Sequence, residues 1–188
     1  ALSSPHARDD VTAVVGGAGE RVGTLLLSKP ESADEILWLD TLIERLRAER
    51  GIGARIGYLV GIESARALTD IDKLAACSPN VEGLGFAIGD LSASLGVHIT
   101  AYLQDRSLYP GDLFHFHRAR IILAARTHGL WALDAPWPNV NDHATLAEDA
   151  RWGAMMGFDG KLVLVPAQVR IVHEAYRPTA AELARARQ

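Results

Sequence analysis

The stretch from Gly57 to Gly96, GYLVGIESARALTDIDKLAACSPNVEGLGFAIGDLSASLG, decides how the rest of the chain is read. GYLVGI and GLGFAIG are short apolar runs that read as strands. Between them Thr69-Asp-Ile-Asp72 restarts a helix, and Pro79-Asn80 breaks it. Each run ends in an acid, Glu63 after GYLVGI and Asp90 closing the strand GLGFAIG. An ionised carboxylate is costly to bury in an apolar core. Both acids are therefore expected at the carboxyl ends of their strands, where parallel α/β folds open their clefts. Two such ends make a site for a hard cation. Plainer roles stay open at this level: Glu63 as a helix-start acid or ion-pair partner, and Asp90 as the N-cap of the following helix.

Working outward, residues 1–10 read as a polar loop, and VTAVVGGAGERVG as a short helix closed by glycines. Gly17-Ala-Gly19 precedes a strand rather than following one and lacks Gly-Lys-Ser/Thr, so a plain turn is the better reading than a phosphate loop. TLLLSKPES begins with a strand over 24–28 and ends in Lys29; Ser32 and Glu35 then form a capping box for a helix that Gly51 and Gly53 close. Beyond Gly96, VHITAYL suggests a strand and 105–112 a loop. LFHFHRARIILAARTHG is a helix closed by Gly129, and LWALDAP a short strand with Asp134 at its end. LAEDARWGAMMG is helical, KLVLVPAQ is a last strand, and Thr179 with Glu182 caps a terminal helix. Strands alternating with helices indicate a parallel α/β arrangement.

The totals narrow the function. A net charge of −4 gives no basic surface for nucleic acid, and no apolar run is long enough to span a membrane. The single cysteine, Cys77, excludes an internal disulfide framework and suits a reducing compartment, here the cytoplasm. Cys77 itself, at a helix end among apolar residues, reads as inert. His115 and His117 stand two apart on a helix and cannot share an ion, and the other histidines lack partners at ligand spacing. Ser64 has no G-x-S-x-G elbow around it, which argues against a hydrolase triad.

The stretches LLLSKPES, LVGIESARAL, FAIGDLSASLG, ILAARTHGLWALDAP, GFDGKLVLVPAQV and AYRPTAAELARA, in this order, resemble the citrate lyase β-subunit and malyl-CoA lyase family. The resemblance implies an eight-stranded (β/α) TIM barrel, a fold of about 250 residues. It therefore implies that residues 1–188 are one partial barrel domain, without the early strands and the C-terminal helical cap. It further implies magnesium as cofactor, held by Glu63 in GIESAR and Asp90 in AIGDLS. The family's substrate-binding arginine and its catalytic acid, which a neighbouring subunit's cap supplies, are expected outside these residues. Lys29 is expected on the substrate side, with a buried ion pair as the competing role. Asp134 is assigned to the active face by its strand position, with turn capping as the alternative. Two departures stand out: Val165 occupies the position of the family's histidine before Pro166, and Leu27-Ser28-Lys29-Pro30-Glu31 shifts the proline of the usual motif.

The reaction implied is magnesium-dependent carbon–carbon cleavage, or formation, of a 3-hydroxyacyl-CoA such as malyl-CoA or citramalyl-CoA. Other readings are an aldolase acting on a free 2-oxo acid, and a non-catalytic or carrier-dependent citrate lyase β-like subunit. The family also implies a homo-oligomer, a trimer or hexamer.

Overall fold

The computed structural model describes residues 1–109 and 111–187. The chain runs α1 (Ala7–Ala18), β1 (Thr24–Leu27), α2 (Ala33–Arg50), β2 (Gly57–Ile62), α3 (Ala65–Thr69), α4 (Ile71–Ala76), β3 (Val81–Phe86) and α5 (Ile88–Leu95). It continues through α6 (Ile99–Gln104), α7 (His115–Thr127), β4 (Trp131–Asp134), α8 (His143–Met156), β5 (Gly160–Lys161), α9 (Pro166–Tyr176) and α10 (Ala180–Ala186). The strands form one five-stranded sheet in the order β1-β2-β3-β4-β5, and every pairing is parallel. Sequential parallel strands joined by helices are the staves of a (β/α) barrel, here an open arc.

Alternation along the strands sorts the two faces. Val60, Ile62, Leu84, Phe86 and Ala132 are fully buried beneath the helices, against Ile36, Leu39 and Ile43 of α2 and Ile121 and Ala124 of α7 in the same core. Each Val, Leu, Ile or Phe side chain among them contributes about 1.5–3 kcal/mol by leaving water. The opposite face carries Leu26, Leu59, Gly61, Gly83, Gly85 and Trp131. Leu26 is 57% exposed and Trp131 66%, because the arc leaves this inner face open.

One irregularity sets the phase of β3. Tyr58 pairs with Val81 but Leu59 pairs with Gly83, so Glu82 is an extra residue, a β-bulge. Its carboxylate lies over Gly57, accepts the Thr24 hydroxyl at 3.1 Å and meets Arg55 at 2.8 Å. Nearby, Asp40 accepts both the Tyr58 hydroxyl (2.7 Å) and the Asn80 amide (2.9 Å), tying α2 to the foot of the sheet.

The expected helix boundaries hold where capping chemistry marks them. Ser32 and Glu35 close a reciprocal capping box, and Gly51 ends α2 in the left-handed region at φ 66°. Four expectations need correction. The loop over 1–10 is already helical from Ala7. VHITAYL contributes α6 rather than a strand, since β3 and β4 pair directly and leave no slot between them. Of KLVLVPAQ only Lys161 joins a strand, because Pro166 opens α9. Asp90 does not close a strand: β3 ends at Phe86, and Asp90 stands in the first turn of α5. No helix among the described residues is long and apolar enough to cross a membrane.

Candidate functional site

Glu63 follows the last residue of β2, and its side chain folds back along the inner face over Gly61. The space is there only because Gly61 has no side chain: a Cβ would sit 2.5 Å from Glu63 Oε1 and 2.9 Å from the Leu27 carbonyl oxygen. The Ser28 hydroxyl, at the end of β1, donates to Oε2 at 3.3 Å. Glu63 is 8% exposed. Burial, reinforced by the negative charge of Asp90, raises its pKa, while the Lys29 amide and Ser28 pull the other way.

Asp90 reaches the same place from the first turn of α5, one stave away. The two carboxyls are close enough for each to perturb the other's titration. Lys29 Nζ lies 2.8 Å from Asp90 Oδ1, in an ion pair whose side chains are about half exposed. The hydrogen bond from Lys29 holds Asp90 below the ordinary carboxylate range, and Asp90 in turn raises the lysine. Lys29 is also the one described non-glycine residue with positive φ, at 54°. Glu63 and Asp90 border a cavity of about 180 Å³, walled by Leu26, Pro136 and Leu162 and floored by Gly61 and Gly85.

This donor set fits a hard divalent cation. Among the described residues no group of three or more His, Cys, Asp or Glu side chains could hold a metal. The protein therefore offers two carboxyls, Glu63 and Asp90, and leaves the rest of the shell to water and substrate. That suits magnesium, which keeps waters, and not structural zinc, which wants four side chains. Helix capping does not explain the pair. Asp90 makes no cap bond at the start of α5, and Ser64, not Glu63, caps α3.

Asp134 does not reach this cavity. It shares the helix-facing side of β4 with Ala132, and it is completely buried. Its Oδ2 accepts from Lys161 Nζ at 2.8 Å, and its Oδ1 lies 3.2 Å from Arg118 Nε. Lys161 also binds Asp149 at 2.6 Å, and Arg118 binds Asp149 at 2.7 Å and Asp112 at 3.2 Å. This closed cluster of three acids and two bases joins β4, β5, α7 and α8. The expected substrate role for Asp134 is thus replaced by a packing role. Burial raises the Asp134 pKa against the pull of both cations. Burial also pushes Asp149 upward, but Lys161 and Arg118 together hold it below the usual range. Arg118, Lys161 and Asp149 escape a reading of the sequence, because their pairing is purely tertiary. The parity of β4 was the available signal for Asp134.

The departure at Val165 falls at the N-cap of α9, where no side chain caps the helix. Gln168 anchors that end instead: it is fully buried, donates to the Trp137 carbonyl at 3.1 Å and accepts the Leu164 N–H at 2.9 Å.

A family model described as HpcH/HpaI aldolase/citrate lyase matches residues 1–166. An L-malyl-CoA/beta-methylmalyl-CoA lyase of Cereibacter sphaeroides is 27% identical over all of this chain and 62% of its own length. The citrate lyase subunit beta of Escherichia coli is 30% identical over all of this chain and 59% of its own. The chain thus spans about three fifths of the curated relatives it matches. A citrate lyase beta subunit from M. tuberculosis, complexed with oxaloacetate and magnesium, superposes with a TM-score of 0.74 at 29% identity, over 95% of this chain and 70% of that one.

Proposed function

Because the chain belongs to the HpcH/HpaI aldolase/citrate lyase family, we propose that it is the metal-binding part of a magnesium-dependent carbon–carbon lyase acting on a 3-hydroxyacyl-CoA ester, of the malyl-CoA or citramalyl-CoA kind. The observation that carries the reading is the meeting of Glu63 and Asp90 at one cavity, as an oxygen-only pair. The malyl-CoA lyase relative and the magnesium in the M. tuberculosis structure support it.

In this reading Glu63 and Asp90 hold the ion, Ser28 orients Glu63, and Lys29 meets the anionic end of the substrate. When bound, the magnesium ion supplies a Lewis acid for the substrate oxygen at the carbon whose bond breaks. Cleavage removes the proton from the hydroxyl, breaks the carbon–carbon bond and leaves an acyl-CoA enolate that takes up a proton. The apolar wall of Leu26, Pro136 and Leu162 limits water at the reacting carbons. Among the described residues lining the cavity, Glu63 and Asp90 are the only carboxyls. With both committed to the ion, the general base comes from elsewhere in a cytoplasmic homo-oligomer, to which residues 1–188 contribute one partial barrel domain.

The test is metal-dependent cleavage by the full chain after chelation, with malyl-CoA and citramalyl-CoA set against the corresponding free acids. Thioester cleavage restored by magnesium, and lost in Glu63→Gln and Asp90→Asn with the melting temperature retained, is the expected outcome. Either variant turning over at near-native rate would remove the metal assignment. Cleavage of the free acid alone would replace the CoA-ester substrate.

A further inference from the structure

We infer that Lys29 is a resident cation which a divalent ion displaces: without the ion its ammonium holds Asp90, and with the ion it is freed into the cavity mouth for the substrate's carboxylate. This rests on the metal reading above and deepens it. First, Nζ sits 2.8 Å from Asp90 Oδ1, on one of the oxygens a metal would use. A divalent ion and an ammonium on that same oxygen repel strongly, unlike Lys161 and Arg118, which take different oxygens of Asp149. The pair is half exposed, strong enough to orient the side chain and weak enough to exchange.

Second, the backbone at Lys29 is in the left-handed region, with φ 54°. That region is costly for a residue with a side chain, and the position just before Pro30 constrains it further. Such strain persists only where the surroundings over-determine it. Here they do. The chain before Lys29 is fixed by the ladder that pairs Leu27 with Val60. The chain after it is fixed by Glu35 Oε2, which accepts the Glu31 N–H at 2.7 Å and the Ser32 N–H at 3.3 Å. The left-handed residue turns its side chain back across the carboxyl ends of the strands to α5.

Third, the formal charge changes sign. Two carboxylates and one ammonium leave the site one unit negative. Adding a divalent ion makes it one unit positive, with the ammonium no longer engaged. The site then matches an anionic substrate only after the metal has bound, which favours metal first and substrate second.

The experiment uses the full chain as wild type, Lys29→Met and Lys29→Gly. Glycine accepts positive φ and so separates loss of charge from loss of the turn. Manganese(II) is the probe, its free fraction read by electron paramagnetic resonance. Lysine reactivity toward an acetylating reagent is read by mass spectrometry. Both variants should bind Mn2+ about twofold to fivefold more tightly than wild type, the scale of a half-exposed ion pair. In the wild type, Mn2+ should raise the acetylation rate of Lys29 severalfold. Lys73, paired with Asp70 at 2.7 Å elsewhere, should not change. Wild-type binding with neither signature would overturn the exchange and leave the metal site standing. Failure of the wild type to bind Mn2+ would overturn both.

Discussion

Gly61→Ala is the sharpest probe of how the sheet shapes the site. The added methyl would lie 2.5 Å from Glu63 Oε1 and 2.9 Å from the Leu27 carbonyl oxygen. The carboxylate can rotate away, but the carbonyl belongs to β1, which pairs with β2 through four registered residues. Relief therefore needs both a displaced Glu63 and a shifted strand. Overpacking on this scale costs about 1–3 kcal/mol of stability. A ligand moved by about 1 Å costs on the order of a hundredfold in rate. Gly85→Ala is the matched control one strand away: its methyl would meet only the Leu59 side chain, at 3.7–3.8 Å, which is ordinary contact. Its stability should stay within about 1 kcal/mol of the parent. Chemical denaturation gives the stability of each variant, and a magnesium titration of thioester cleavage gives the site. The expected pattern is a destabilised Gly61→Ala with metal affinity down by about 10- to 100-fold, the usual size when a ligand loses its support. Native metal affinity in Gly61→Ala would refute the packing of Glu63 against that glycine.

Two further outcomes follow from the buried groups. The Asp149 carboxyl is held below its ordinary 3.8, so its stabilisation is complete above that pH and is lost as acid titrates it. Asp149→Asn should therefore cost about 3 kcal/mol in urea unfolding at pH 6, through the broken buried pairs, and less by up to about 1 kcal/mol at pH 3. An equal cost at both pH values would refute the ionic role. Burial pushes the Cys77 thiol from 9.0 up to about 11. Alkylation by iodoacetamide at pH 8 should then be roughly a hundredfold slower than for an unperturbed thiol. Rapid labelling of the folded protein would contradict that burial.

What the sequence made legible was local or periodic. The capping box at Ser32 and Glu35 satisfies helix-end donors within four residues, so its pattern alone located α2. Apolar runs bounded by Gly and Pro located β1, β2, β3 and β4. Glu63 and Asp90 were singled out because an acid after an apolar run needs an outlet. Their convergence depends on strand register, which no local pattern carries. Asp134 went astray for the same reason. Its strand-end position suggested the cleft, but the side of the strand decides, and Asp134 lies on the side of Ala132 beneath the helices. VHITAYL misled through its β-branched residues, whose preference loses when the sheet has no vacant neighbour. The left-handed turn at Lys29 had no glycine to announce it.

The single inserted residue at Glu82 has a reach beyond its own strand. Without it, the β3 side chains from Gly83 to Phe86 would swap faces. Leu84 and Phe86 would crowd the chamber now bordered by two oxygen donors, and glycines would confront the helices instead of a hydrocarbon layer. A cut of one codon would thus turn the interior of this arc from a polar pocket into a greasy plug, without changing Glu63 or Asp90.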